Sequence, residues 1–440
     1  MNKLKFNENN YPVFNFKEIS MRLCKDLCYF KYLRKKSQVT IVRGECSYLF
    51  LKNINGMMTI KQIVNTLSIR FKVEYRQILN DFTEIIEPLV KQKILYFSDV
   101  PVETKTTVLK ILSKNLRNSL HIDLTELCNE KCIHCLADKD NQTLKEKVVL
   151  QTLKEGAKLG LINLSLSGGE ATLHPAFWKI AKKAREYGYA ITLFTNGLLI
   201  NEGNIKKIVD ICPDNIRVSL YSLDEKIHDS ITQVNASFTK TLAALNLLKK
   251  YKLPIFINCP VMKQNFDTCN KVKEFADRNK FEVNLDPAIQ PSRNLKKSNN
   301  DLKLSKEQYK KVIEIMFPKG ELGHNIEPNK NICSAGTGEN YYINSKGDVS
   351  LCPGMNIFIG NINNTSFSKI LQNDFLTEEC KSLSIHTLQK CNKCLLRKAC
   401  QRCHARAYRD TGELRGCSPE DFLHASIYRQ IMQERKTWKN

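Results

Sequence analysis

Cys128, Cys132 and Cys135 stand in a C-x3-C-x2-C spacing directly after an apolar run, Leu120–Leu124. Three thiolates can hold three corners of a [4Fe–4S] cluster, which ordinarily takes four protein ligands, so one iron would stay open to an outside ligand. A zinc site completed by His134 is the other reading, but His134 is adjacent to Cys135 and badly placed for a tetrahedral set. A second group comprises Cys333, Gly347 and Cys352, then Cys391, Cys394, Cys400 and Cys403, and finally Cys417. Taken alone, its paired C-x2-C units read as a zinc ribbon. Two further motifs end later apolar runs: Ser167-Gly168-Gly169-Glu170 and Thr195-Asn196-Gly197. Glycines at a strand end let a ligand approach the backbone closely, and the Glu170 carboxylate could hold a ligand's ammonium group.

These residues need a scaffold, and the stretch 119–288 supplies an alternating one. Strands are predicted at Leu120–Leu124, Asn163–Leu166, Ala190–Phe194, Ile216–Leu220, Ile255–Asn258 and Val283–Leu285. Amphipathic helices lie between them, such as Phe238–Lys250 with Leu242, Leu245 and Leu248 on one face. Six β/α repeats imply an α/β fold with a parallel, barrel-like sheet and its function at the strand C-terminal ends. Before it, residues 38–98 read as a small winged-helix-like unit. Two β-rich runs, Val39–Arg43 and Tyr48–Leu51, precede a helix opened by the Thr59–Gln62 capping box. A second helix carries Ile78, Phe82, Ile85, Ile86, Leu89 and Val90, and Ile94–Phe97 closes the unit as a strand. Pro291–Asn300 reads as a polar linker, and 333–417 as a cysteine-rich region of short strands and turns. Three domains are expected, at 1–105, 115–290 and 310–440.

Composition agrees with a soluble globular protein: 440 residues, 42% hydrophobic and 26% charged. The N-terminus shows no signal peptide, and no apolar run is long enough for a membrane helix, so a cytoplasmic protein without a membrane partner is expected. Seventeen cysteines in a reducing compartment point to metal binding rather than disulfides. The formal charge of +23 concentrates in residues 1–36, 293–311 and 381–409. Such a balance suggests nucleic acid. The last patch has another cause, since cations beside thiolates help hold them deprotonated. No RNA-binding fold is legible, and a nucleic-acid partner is not expected.

With its C-x3-C-x2-C loop and GGE motif in order, the chain resembles the radical S-adenosylmethionine superfamily. The resemblance implies a partial (β/α)6 TIM barrel in which a [4Fe–4S] cluster on Cys128, Cys132 and Cys135 chelates S-adenosyl-L-methionine. The reduced cluster would cleave it to a 5′-deoxyadenosyl radical that abstracts a substrate hydrogen. Gly168, Gly169 and Glu170 would bind the methionine end, and Ser219 matches a ribose-contacting position. Ile231–Ala236 lacks the glycines of many relatives, which reads as loop variation. Downstream, the cysteines resemble a SPASM domain, implying two auxiliary iron–sulfur clusters. Cys391, Cys394, Cys400 and Cys417 would complete one, and Cys333, Cys352 and Cys403 would serve the other, nearer the active site. No cysteine lies between Cys269 and Cys333, so this inner cluster is expected to have an open iron, a non-cysteine ligand or a smaller nuclearity. Cys24, Cys28, Cys46, Cys212, Cys269 and Cys380 read as structural thiols, whereas Cys259 is a candidate to face the cavity.

The N-terminal unit resembles the small PqqD-like leader-peptide-binding protein of pyrroloquinoline quinone biosynthesis, through Tyr48–Leu51, Asn55-Gly56, the Thr59–Leu67 helix and Ile78–Phe97. Together the parts resemble oxidoreductases that mature ribosomally made peptides. That implies a precursor peptide as partner, its leader bound by the N-terminal domain, and an electron donor such as flavodoxin or ferredoxin. The expected product is a thioether from a cysteine sulfur to a carbon. Carbon–carbon cross-linking, epimerisation and action on RNA are the alternatives within radical chemistry, and a non-enzymatic zinc-ribbon protein is the alternative outside it. No catalytic side chain is assigned.

Overall fold

The computed structural model describes the chain except residues 1–5, 25–26, 34–38, 44, 104–116, 138–139, 319–332, 334–336, 385–386 and 438–440. The side chains of Cys24 and Cys46 also lie outside the described residues, as does the expected 105–115 boundary.

The N-terminal unit begins with β1 (Tyr11–Phe14), β2 (Ile19–Cys24), β3 (Leu27–Tyr32) and β4 (Val39–Arg43). It continues with α1 (Glu45–Asn53), α2 (Ile60–Phe71), α3 (Tyr75–Lys91) and β5 (Leu95–Ser98). Strands β2, β3 and β4 form an antiparallel sheet in that order, and β1 pairs with β5. The capping box forms as predicted: Thr59 accepts from the Gln62 amide and Gln62 accepts from the Thr59 amide. Ile60, Ile63, Val64 and Leu67 on α2 and Ile78, Phe82, Ile86 and Leu89 on α3 are buried together.

One prediction here is corrected. Tyr48–Leu51 is helix α1, not a strand. All four side chains are buried, and a short continuous apolar run carries no periodicity to separate a core helix from a core strand. In β2 and β3, Ile19, Met21, Leu23, Cys28, Phe30 and Tyr32 face the unit's core. The opposite face carries Ser20, Arg22 and Lys31, which dock on the barrel. Arg22 donates to the Leu161 carbonyl at 3.1 Å, Tyr187 at 3.0 Å and Gly188 at 2.7 Å. Lys31 pairs with Asp214 at 2.6 Å.

The barrel strands are β6 (Arg117–Asp123), β7 (Leu161–Ser167), β8 (Ala190–Thr195), β9 (Asn215–Ser219), β10 (Ile255–Pro260) and β11 (Glu282–Asp286). Between them run α4 (Glu146–Lys158), α5 (Phe177–Glu186), α6 (Ile205–Ile211), α7 (Glu225–Thr232), α8 (Ser237–Lys250) and α9 (Cys269–Asn279). All five strand pairings are parallel. Alternation sorts the two faces. Leu120, Ile122, Leu164, Leu166, Ile191, Leu193, Ile216, Val218 and Ile257 are buried in the apolar clusters. The other parity, including His121, Asp123, Phe194, Arg217 and Ser219, gives a polar inner face.

After α10 (Lys306–Met316), β12 (Asn340–Ile343) joins β6 in parallel, followed by the antiparallel β13 (Asp348–Ser350) and β14 (Gly360–Asn361). Among the described residues the sheet thus has nine strands in the order β11-β10-β9-β8-β7-β6-β12-β13-β14. The remaining α-helices among the described residues are α11 (Phe367–Gln372), α12 (Phe375–Lys381), α13 (Gln389–Asn392), α14 (His404–Thr411) and α15 (Pro419–Glu434). The expectation of only short strands and turns at 333–417 is therefore corrected: four of these helices fall there or begin there, three too short to show a sequence period. Among the described residues no helix is long and apolar enough to cross a membrane.

Candidate active site and cluster-binding cysteines

Cys128, Cys132 and Cys135 lie on the loop leaving β6, at the strand C-terminal ends, as predicted. They share a cavity of about 430 Å³ with Gly168, Gly169, Thr195, Asn196, Ser219 and Tyr221. The loop is held by its own backbone. Gly169 donates to the Thr125 carbonyl at 2.7 Å and Glu170 to Leu127 at 2.8 Å, while Lys131 and Ile133 donate to Thr232 and Ile231 at the end of α7, each at 2.9 Å.

The glycines do more than admit a ligand. A side-chain carbon on Gly168 would run into the Thr125 carbonyl, and one on Gly169 into those of Glu126 and Leu127. Both positions must be glycine for the cysteine loop to seat, and Gly168 also has a φ of +141°.

Glu170 sits at the junction of two strand ends. Its carboxylate is 1% exposed and absent from the cavity lining. It accepts from the Thr172 amide at 3.1 Å, the Thr172 hydroxyl at 2.6 Å, the Thr195 hydroxyl at 3.0 Å and the Asn196 amide at 2.8 Å. Through these bonds the carboxylate joins the ends of β7 and β8. The expectation that Cys259 faces the cavity is corrected. It is fully buried with the apolar cluster under α8 and α9, its thiol donating to the Tyr221 carbonyl at 3.6 Å. Its parity puts it on the helix side of β10.

Three more residues, Tyr221, Asn196 and Glu130, complete the site. Tyr221 brings its hydroxyl within 3.7 Å of the Cys132 sulfur. Asn196 donates to Asn129 at 2.7 Å and to the Cys128 sulfur at 3.9 Å. Glu130 accepts from the Cys132 thiol at 3.2 Å, and burial pushes its carboxyl up to about 7. Thr195-Asn196-Gly197 was the available signal for Asn196; nothing marked Glu130 or Tyr221.

Ile231–Ala236 keeps its turn without glycine. Gln233 and Ala236 adopt left-handed φ values of 59° and 57°. Asp229 holds them there, accepting from the Ala236 amide at 2.6 Å, the Ser237 hydroxyl at 2.7 Å and the Phe238 amide at 2.9 Å.

In the C-terminal region, Cys391, Cys394, Cys400 and Cys417 line one cavity of about 270 Å³ with Arg402 and Asp421. Cys333, Cys352 and Cys403 form the other group: burial pushes the Cys352 thiol up to about 12, with Cys403 and Cys333 adding to the rise. Cys380, fully buried in the same apolar cluster, also feels Cys333.

Among the described residues no three His, Cys, Asp or Glu side chains converge tightly enough to share one metal ion. A cubic cluster makes a different demand, one thiolate per iron, so its ligands stand apart around a cavity. The thiols fit that demand, and burial without a cation pushes Cys128 up to about 11 and Cys400 up to about 12.

Two family models match the chain: the radical SAM superfamily over residues 122–276, and the SPASM iron–sulfur cluster-binding domain over 333–404. An AdoMet-dependent heme synthase of Methanosarcina barkeri is 27% identical over 66% of this chain and 92% of its own length. A PqqA peptide cyclase of Granulibacter bethesdensis is 25% identical over 35% of this chain and 42% of its own. Among solved structures, Streptococcus suis SuiB bound to S-adenosylmethionine superposes with a TM-score of 0.62 at 15% identity, covering 94% of this chain and 99% of SuiB. SuiB bound to its precursor peptide SuiA gives 0.61 at 17%, covering 95% and 100%. These likenesses to SuiB establish the fold. With the two family models spanning all of these cluster cysteines except Cys417, the chain is an enzyme of S-adenosylmethionine radical chemistry, carrying a radical SAM domain with its [4Fe–4S] cluster and a SPASM domain with auxiliary iron–sulfur clusters.

Proposed function

We propose that this enzyme matures a ribosomally synthesised precursor peptide by installing a cross-link, from a cysteine sulfur of the peptide to a carbon. The N-terminal unit carries the reading. Its sheet ends at β4, which has only β3 as a hydrogen-bonded neighbour among the described residues, and Val39 and Ile41 are exposed on it. Such an edge takes an extended peptide as an added strand, main chain giving affinity and side-chain pockets specificity. The match to peptide-bound SuiB spans too much of the chain to leave this unit out, and the PqqA cyclase is a second peptide-modifying relative.

The division of labour follows, with 1–105 as leader-binding domain, 115–290 as radical SAM barrel and 310–440 as SPASM domain. Cys128, Cys132 and Cys135 would hold the radical cluster, with Gly168, Gly169, Glu170 and Ser219 toward S-adenosylmethionine. Cys391, Cys394, Cys400 and Cys417 would hold the outer auxiliary cluster, and Cys333, Cys352 and Cys403 the inner one. When bound, cluster and S-adenosylmethionine supply the 5′-deoxyadenosyl radical that removes a substrate hydrogen. An inner site with three cysteines favours a sulfur-bearing substrate residue beside it. Electrons would come from a flavodoxin or ferredoxin.

The match to nearly the whole heme synthase favours a second reading, a non-peptide substrate. Co-expression with a candidate precursor, thiol alkylation and peptide mass spectrometry decide between them. Each thioether removes two hydrogens and one alkylatable thiol, about two mass units per link. Deleting residues 1–105 is expected to abolish most modification while sparing uncoupled S-adenosylmethionine cleavage. A product lighter by two hydrogens with every thiol still free, and no disulfide, would replace the thioether with a carbon–carbon bond. Equal modification with and without residues 1–105 would remove the leader-binding role.

A further inference from the structure

The segment following β11, read from sequence as a linker, is a folded loop fastened to the cysteine loop. Arg293 donates its backbone amide to the Leu136 carbonyl at 3.0 Å. Lys297 reaches the Ile133 carbonyl. Asn299, 1% exposed, donates to the Gln290 carbonyl at 2.8 Å and to His134 at 3.5 Å. Ser292 and Lys297 close the loop on itself through a 2.8 Å backbone bond. Three carbonyls around Cys132 and Cys135 are thereby held from one side.

The Arg293 side chain turns inward from this loop. Its guanidinium lies 2.6 Å from Asp123, the last residue of β6, and 3.6 Å from Glu126, two residues before Cys128. It also stands over the Tyr342 ring on β12, 5.3 Å from its centre. Tyr342 donates its hydroxyl to Asp123 at 2.6 Å, and Ser345 donates to Glu126 at 3.2 Å. Asn356, four residues after Cys352, donates to the Arg293 carbonyl at 2.8 Å. One residue thus touches the root of the cysteine loop, its far end, the seventh strand and the turn after an auxiliary-site cysteine.

The charges explain why an arginine stands there. Asp123 and Glu126 are almost wholly buried, and a buried carboxylate without a partner is costly. Burial pushes Asp123 up, but Arg293, with His121 and Tyr342, holds it well below the usual carboxylate range. A planar fork serves two acceptors at once where a lysine serves one point.

We propose that Arg293 is a positioning residue of the radical centre: it clamps the Cys128–Cys135 loop between barrel and SPASM domain, and it neutralises the two carboxylates at the loop's foot. The clamp sets how firmly the radical cluster is held, and the neutralisation sets the electrostatic potential there. Neither depends on the identity of the substrate.

The test uses the reconstituted full-length enzyme and its R293K and R293Q variants, without peptide. Two quantities are read: the rate at which a ferrous chelator strips iron from the radical cluster, and that cluster's midpoint potential by spin-resonance titration. In R293Q two carboxylates lose their cation, so the potential moves to more negative values, and iron leaves about tenfold faster. R293K keeps the charge and loses the fork. Its potential stays near the wild-type value while its iron loss is intermediate. Should R293Q fail to assemble, the double variant D123N/R293Q removes one carboxylate with the cation and is expected to restore assembly with fast iron loss. Wild-type potential and wild-type iron loss in R293Q would overturn the proposal. Faster loss from the auxiliary clusters to the same extent would overturn the assignment to the radical centre.

Discussion

Replacing Glu170 separates two roles that one motif could play. If the carboxylate braces the strand ends, as its four hydrogen bonds indicate, Glu170→Ala strands two backbone amides, of Thr172 and Asn196, in a buried place. The Thr172 and Thr195 hydroxyls can rotate, so the amides dominate. At about 1–3 kcal/mol for each unsatisfied buried group, the loss is about 3 kcal/mol. That is a large share of the roughly 5–15 kcal/mol that holds a domain folded. Glu170→Gln behaves differently. Burial raises the Glu170 pKa despite its hydrogen bonds, so the surroundings do not favour the ionised form. A neutral amide keeps one acceptor oxygen and costs about 1 kcal/mol. Urea unfolding of anaerobic protein gives both stabilities, and equilibrium dialysis of reconstituted enzyme gives S-adenosylmethionine affinity. The expected pattern is a stability loss graded Ala over Gln, with Glu170→Gln binding within about tenfold of wild type. Unchanged stability with binding lost in both variants would show that the carboxylate grips the ligand, and the bracing argument would fail.

Replacing Cys128, Cys132 and Cys135 together with Ala should abolish S-adenosylmethionine cleavage and remove about four of roughly twelve irons, measured by iron analysis; retention of cleavage would contradict the site. Cys380→Ala should cost about 1 kcal/mol as a small core truncation and leave the iron count unchanged; a fall in iron would instead make Cys380 the missing inner ligand. Asp229→Asn should destabilise the protein by about 1 kcal/mol by loosening the Gln233–Ala236 turn, and Ala236→Gly on that background should recover part of it, because glycine tolerates the left-handed backbone. Asp229 is held below its ordinary pKa after burial is offset by Ser237, Phe238 and Ala236. Its contribution is therefore present above the unfolded-state pKa and lost as pH falls through the folded one; pH-dependent unfolding of wild type and Asp229→Asn checks the sign.

What could be read from sequence was residue type, spacing and period. The six barrel strands appeared within three residues at each end because Leu, Ile and Val alternate or bunch between helices of 3.6-residue period. The Thr59 capping box was legible because its two partners are local. The cysteine sets were legible because few other patterns repeat C-x2-C so closely. What could not be read was direction. Cys259 sits beside the cavity in sequence, yet it lies on the helix side of its strand. The 291–299 loop looked like a linker because its fasteners are carbonyls of a distant segment, and carbonyls have no sequence signature. Helix α1 was missed because burial on all sides erases amphipathic period.

The same blindness affects the charge. The charge of the basic run 1–36 suggested a nucleic-acid face, but the β2–β3 hairpin spends part of it inside. Arg22 is buried, its guanidinium directed at carbonyls of Leu161, Tyr187 and Gly188 and stacked 4.9 Å from the Tyr189 ring. Burial lowers its pKa to about 10, still charged at neutral pH. Arg185 returns the favour from α5, donating to Ser20 at 2.8 Å and to the Ile19 carbonyl at 3.0 Å. These fasteners meet β7, β8 and β9 at or just before their first residues, while the cysteines stand at the opposite strand ends. β7 has seven residues, so the separation along it is about 23 Å at roughly 3.3 Å per residue. On the proposed reading, a leader held by the N-terminal unit cannot itself be the segment modified. An extended connection of about seven residues must cross the barrel's height, which makes recognition and chemistry properties of different stretches of one peptide.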